Sequence, residues 1–167
     1  MNGARAVNEE LLRVVARRLG ETDRFEAVAV FPSNHPESII PRLREAYYPE
    51  HVREARLDIR VYLNGDFHVM YIEDLLSNVA GRTDSPAKSG EFVRRSTSDS
   101  NWSGDRWCCR WDRHENPHNT RDHFHPPPKA ATETARDESF PADFFDVIAV
   151  VLDWVEERLG AVWTEYE

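Results

Sequence analysis

Cysteine is almost missing from this 167-residue chain: Cys108 and Cys109 are the two present, and they are adjacent. Such a pair builds neither a disulfide framework nor a Cys-rich zinc site, and no disulfide-linked partner is expected. Long apolar runs are missing as well, none approaching the ~18 residues that a membrane-spanning helix requires. The stretch from Met1 to Leu19 interleaves its apolar residues with Glu and Arg, unlike a secretory signal. A reduced, cytoplasmic setting without membrane contact is therefore expected. Lysine is the third scarcity: apart from Lys88 and Lys129, all 21 basic residues are arginine.

Against those 21 bases stand 30 acids, a net charge of −9. From Glu133 to Glu167 there are ten acids and two arginines, so this segment holds almost all of the net charge. An acidic, lysine-poor chain fits a cell that accumulates salt, a halophilic source, and equally an ordinary acidic protein from a GC-rich genome. Either way, bulk charge disfavours indiscriminate nucleic-acid binding, and any RNA contact must come from a local patch. The composition, 40% hydrophobic and 31% charged with 7 Gly and 10 Pro, is that of a soluble globular protein. Residues 1–167 are read as a single domain, large enough to bury about 70% of its unfolded surface around one core.

Period and punctuation predict the elements. A helix over 8–19 is capped by Asn8, carries Glu9 and Glu10 at the positive end of its dipole, and stops at Gly20. Phe25 to Phe31 reads as a strand, and Ser38 to Tyr48 as a further helix around Pro41. Ala55, Leu57, Ile59, Val61 and Leu63 alternate with polar residues, Asn64-Gly65 follows as a type I′ turn, and Phe67 to Ile72 returns, giving a hairpin over 55–72. Gly81 to Gly90 has loop composition, Phe92-Val93 suggests a strand, and Ser96 to Gly104 a polar loop. A strand from Arg106 to Trp111 opens a segment, 106–128, that ends in a His-rich loop and three prolines. Phe144, Ile148, Val151, Leu152, Val155 and Leu159 form the stripe of a closing helix over 141–159, with Gly160 as its end. The expected fold is α+β: an antiparallel sheet with a central hairpin and amphipathic helices at both ends of the chain.

Four of the seven histidines, His114, His118, His123 and His125, fall within twelve residues of the loop leaving that last strand. Two chemistries compete for them. In the first, His123 and His125 at i, i+2 project to one side of an extended chain. His114 or His118 then completes a zinc or other divalent-metal set with Asp112 or Asp122, although no standard zinc spacing is matched. The second, preferred here, is metal-free cleavage of RNA through its own 2′-hydroxyl, with no cofactor. Histidine suits both proton roles near neutral pH, and arginine suits the phosphate charge. His118, His123 and His125 are then the acid–base candidates, and Arg110, Arg113 and Arg121 the substrate-binding ones, with Arg94, Arg95 and Arg106 on neighbouring strands. A non-catalytic regulator, a metal-binding adaptor, and a metal-dependent nuclease or hydrolase are the alternatives.

Blander readings cover the other candidates. Trp107 and Trp111 are better placed in a core than as base platforms, a role Trp102 also offers. Asp112 and Arg113 read as a surface pair, Glu73-Asp74 and Glu156-Glu157 as solvated charge, and His35, His51 and His68 as scattered structural or exposed residues. The two thiols read as inert.

The run Arg-Trp-Asp-Arg-His-Glu-Asn-Pro-His-Asn at 110–119, followed by Asp122-His123-Phe124-His125-Pro126 and preceded by the hairpin, resembles the signature of the TumE-like toxin family. The likeness covers roughly 50–130. The chain departs from that pattern in His114-Glu115-Asn116, in a long insert over 77–104 and in an extended N-terminal region. The resemblance implies a toxin of a type II toxin–antitoxin pair, with RNA as its target and a cognate antitoxin protein as partner. For the closing helix, the stripe predicts Asp143, Asp146, Asp153, Glu156 and Glu157 on the outward face. Reversing Glu156 and Glu157 to lysine should thus leave the melting temperature within a few degrees of the parent; a collapse of the circular-dichroism melt would place these acids in the packed face.

Overall fold

Apolar residues at every second position from Ala55 to Val61 bury one side of a strand, and the sheet is built outward from it. In this computed structural model, which describes residues 5–76 and 105–165, β3 (Val52–Val61) pairs antiparallel with β4 (Phe67–Leu75) from Val52↔Leu75 to Val61↔Phe67. Flanking this central hairpin are β1 (Phe25–Phe31) and β2 (Ser38–Leu43) on one side. On the other lie β5 (Asp105–Arg113), β6 (Asp122–His125) and the two-residue β7 (Arg136–Asp137). The seven strands follow chain order across the sheet, each antiparallel to the next. With α1 (Glu9–Gly20) and α2 (Phe144–Thr164), the fold is α+β.

The pleat gives the sheet two unlike faces. Leu57, Ile59, Val69, Tyr71, Cys109 and Trp111 point to one side and form a single core with Leu12 and Val15 of α1 and Val147, Val151 and Val155 of α2. Trp154 of α2 packs between Tyr71 and Trp111, with ring centroids 5.4 and 5.2 Å away. Trp107 stacks on it at 6.0 Å, so both strand tryptophans serve the core. The opposite face, which neither α1 nor α2 covers, carries Arg56, Arg60, His68, Arg110, Asp112, His123 and His125. Its small apolar patch joins Ile72, Cys108 and Ala130.

Several local readings are corrected. Residues 38–48 are not helical: β2 ends at Leu43 and a single 3-10 turn covers Glu45–Tyr47. Ile39 and Leu43 bury at strand spacing. Pro41, which has no N–H to donate, falls where the ladder to β3 is interrupted between Ile39↔Ile59 and Arg42↔Arg56. The hairpin turn is not type I′. Tyr62 N–H bonds to Asp66 O across a three-residue loop, and positive φ is confined to Gly65 (88°), the type I turn-plus-bulge solution. Leu63 leaves the alternation and is 67% exposed. α2 starts later than expected, capped by the Asp143 side chain on Phe145 N–H, and runs through Gly160. Two anchors beyond that glycine outweigh its low helix propensity: Val162 is fully buried, and Trp163 Nε1 donates to Tyr47 O at 2.9 Å. The acids of α2 face outward as the stripe predicts. The expected loops at 81–90 and 96–104, the strand at Phe92-Val93, and Arg94, Arg95 and Trp102 lie outside the described residues.

Glu73 and Asp74 are not solvated; both are fully buried, on opposite faces of β4. Asp74 accepts from Arg56 (2.7 Å) and Arg106 (2.9 Å). Glu73, within the helix-covered core, accepts a forked pair from Arg158 of α2 (2.8 Å each) and the Tyr71 hydroxyl (2.6 Å). Removing one partner from such a pair strands the other charge, which costs roughly 3–5 kcal/mol. Arg158→Met should therefore lower unfolding free energy by about that much, whereas Glu73→Met with Arg158→Met should recover most of it. Equal losses in urea denaturation for the single and double variants would show that the stranded charge is not the cause.

Candidate functional site

Because side chains alternate along a strand, His68 of β4, Asp112 of β5 and His123 of β6 share one face and are cross-strand partners in one row. Met70, Arg110 and His125 form the next row. The His123-Phe124-His125 spacing has this physical basis: Phe124 turns inward against Trp111 (5.3 Å), and the flanking rings turn to the open face.

Asp112 is the hub. Its side chain is 1% exposed, and its two oxygens face one arginine and four histidines. Arg110 Nε donates to Oδ2 at 2.7 Å, and His68 Nδ1 lies 3.0 Å from Oδ1. The Nε2 atoms of His125, His123 and His114 approach Oδ2 at 3.2, 3.6 and 3.7 Å. Burial alone would raise this carboxyl's pKa; the contacts with His68 and Arg110 outweigh it and hold the group down at about 2. His125 is pushed toward its neutral form. Burial and the Arg110 cation depress its pKa, consistent with Arg110 Nη2 donating to its Nε2 (3.0 Å) while Nδ1–H points to Ala131 O (3.3 Å). His123 likewise points Nδ1 at Thr120 O, at 3.1 Å.

His123 and His125 are buried behind Asp112, whereas the side chains of His68 and His114 are each 31% exposed. These two, with Asp112 and Arg110, line a cleft of about 280 Å³ whose remaining walls are Arg5, Arg60, Tyr62 and Phe67. Asp66 ties its Arg5 wall to the rest of the sheet. One oxygen accepts from Arg121 Nη2 (2.8 Å) in the β5–β6 connection, and the other from Arg5 Nη1 (3.2 Å) in the N-terminal arm.

The expected site residues divide accordingly. His123 and His125 come together with Arg110; His118 is exposed on the connecting loop and stays out of the cluster. Arg113 forks onto Asp122 (2.7 and 2.9 Å) and donates to Phe140 O and Pro141 O, while Arg121 holds Asp66, so both guanidiniums brace the frame. The reading of Asp112 and Arg113 as a surface pair is corrected: one is the buried hub, the other binds Asp122. His68 is also corrected, from scattered to central. Its signal was its polar position between inward Phe67 and Val69. Cys108 and Cys109 are buried, and burial raises both thiol pKa values, as inertness requires.

One oxygen of Asp112 and one nitrogen each of His123 and His125 lie within 4.8 Å of one another, a set with the donor chemistry for zinc. The Nδ1 contacts to backbone carbonyls are those that orient metal-binding imidazoles. Against that fit stands Arg110, whose guanidinium already bridges Asp112 Oδ2 and His125 Nε2.

Residues 15–159 match the family model described as Toxin TumE. The chain belongs to the TumE toxin family. Membership gives it a toxin's role and an antitoxin as partner. No curated protein and no solved structure matches it.

A depressed histidine pKa means that the unfolded chain takes up the proton first, so His125 contributes stability above its ordinary pKa of 6.5 that is lost as the pH falls below it. Asp112 adds a second loss between pH 3.8 and about 2. The melting temperature should fall from pH 7 to 5, and His125→Gln should flatten that slope. Parallel slopes for parent and variant would remove His125 as the source.

Proposed function

We propose that this TumE toxin is a metal-independent ribonuclease acting in the cytoplasm. The observation that carries the reading is the pair of half-exposed histidines, His68 and His114, on either side of an ionised, Arg110-bound Asp112 at the cleft floor. His68 keeps Nδ1 on Asp112 and offers its other ring nitrogen to substrate. Acting as base, it takes the 2′-hydroxyl proton as the 2′-oxygen forms its bond to phosphorus. His114, protonated, gives a proton to the departing 5′-oxygen as the P–O5′ bond breaks, leaving a 2′,3′-cyclic phosphate and a 5′-hydroxyl. Arg110 faces the extra negative charge on the phosphoryl oxygens. His123 and His125, named by the sequence as acid–base candidates, are positioning residues in this scheme, and His118 has no role. No helix among the described residues is long and apolar enough to cross a membrane.

The convergence of Asp112, His123 and His125 favours a second reading, a metal-dependent nuclease on the same face. Cleavage of single-stranded RNA by purified toxin separates the two. The metal-free step predicts full activity in EDTA, cyclic-phosphate ends, no cleavage of 2′-deoxy substrate, and losses of roughly 10²–10⁴-fold in His68→Ala and His114→Ala. Stoichiometric zinc with activity abolished by chelator would falsify it. RNA left intact by a toxin that still arrests growth would remove ribonuclease chemistry altogether.

A further inference from the structure

The cleft has a wall that proton transfer does not use. Residues 5–8 anneal to the end of β3 beyond the point where β2 begins. Val7 bridges to Tyr62, Leu63 N–H bonds to Ala6 O (2.8 Å), and Asn8 N–H bonds to Val61 O (2.9 Å). This lays Arg5 over the Tyr62 ring, guanidinium carbon to centroid 4.5 Å, with Nη1 tied to Asp66. Tyr62 alternates with inward Val61 and so stands on the open face beside Arg60, whose Nε lies 3.6 Å from Asp58. In register, Arg60 lies across from His68 and Asp112, so two strand spacings, about 10 Å, separate this wall on β3 from Asp112 on β5. That is the reach from a phosphate to the base of an adjoining nucleotide.

We propose that Arg5 and Tyr62 form a stacking subsite for the nucleobase flanking the scissile phosphate, so that the N-terminal arm is part of the RNA-binding site. The proposal rests on the ribonuclease reading for which phosphate is cut, but the binding it describes does not require cleavage. A planar guanidinium on an aromatic ring offers a flat, cationic surface to any base, and Arg60 beside it meets a backbone phosphate. Selection at this wall is for single-stranded RNA, whose bases are free to unstack.

The test couples protein and ligand changes. Binding of a short 2′-deoxy oligonucleotide, which cannot be cleaved, is measured by fluorescence anisotropy, intact and with one base replaced by an abasic residue at successive positions. Tyr62→Ala should weaken binding of the intact strand by about ten- to a hundredfold, with Tyr62→Phe restoring most of the loss. At one position, removing the base should cost the parent protein that same factor and cost Tyr62→Ala almost nothing. Arg5→Gln, a change at an exposed side chain, should show the same coupling at the same position. With cleavable RNA the loss should fall on KM. Additive effects at every position in both variants would overturn the subsite even where the parent cleaves RNA. Coupling without any cleavage by the parent would leave the subsite standing and remove only the ribonuclease reading.

Discussion

A carboxylate that is 1% exposed and ionised has to be surrounded by donors, and Asp112 imposes that requirement on three strands at once. Taking an ion out of water costs several kcal/mol unless partners replace the solvent. Arg110 does so from two residues earlier on the same strand, and His68 of β4 faces the other oxygen across the pair. A slip of one residue in β4 would bring Phe67 or Val69 to the carboxylate and push His68 into the core; in β6, Phe124 would leave Trp111. Apolar alternation and polar convergence thus specify the same register. The core and the site enforce each other.

The same division explains what the sequence made legible. The β3–β4 hairpin, β1, β5 and the stripe of α2 have strong periodicity, and periodicity reports a face turned to a core. Residues 38–48 have a weaker pattern, and a proline read as a helix's first turn sits instead in a gap of the ladder. The end of α2 was hidden for a different reason. Gly160 is a sound local stop, but Val162 and Trp163 make contacts that only the assembled sheet offers, and these override it. In the site, clustering in sequence found His123, His125 and Arg110, whereas His68 and Asp112 are joined by strand pairing across more than 40 positions. Buried charge was the systematic blind spot: Glu73, Asp74 and Asp112 look like surface residues until their arginines, distant in sequence or two positions away, are placed beside them.

Arginine serves two purposes here, and its partners distinguish them. Arg113 and Arg158 each fork onto a carboxylate and are used up in holding the β6 side and α2 to the sheet. Asp66, in the turn region of the hairpin, spends its two oxygens on Arg5 and Arg121, so the turn that closes the β3–β4 hairpin also ties the Arg5 wall of the cleft to the β5–β6 connection. Arg5 keeps its guanidinium face over Tyr62 while tied in this way. Fixing these groups before a ligand arrives removes part of the ordering cost of binding it.

The negative charge of the chain is arranged so that it does not oppose this reading. Asp146, Asp153, Glu156 and Glu157 are exposed on α2, which packs on the face of the sheet opposite the cleft. The sheet itself lies between these acids and the cleft, and charges in water are screened over about 8 Å at physiological salt. A polyanion at the cleft is therefore governed by Arg5, Arg60 and Arg110 and by the histidines at its floor. The acids of α2 repel a polyanion from the helical side and leave the open face the less unfavourable approach. A net charge of −9 argues against binding a polyanion everywhere, and the arginines of the cleft are the local exception to it.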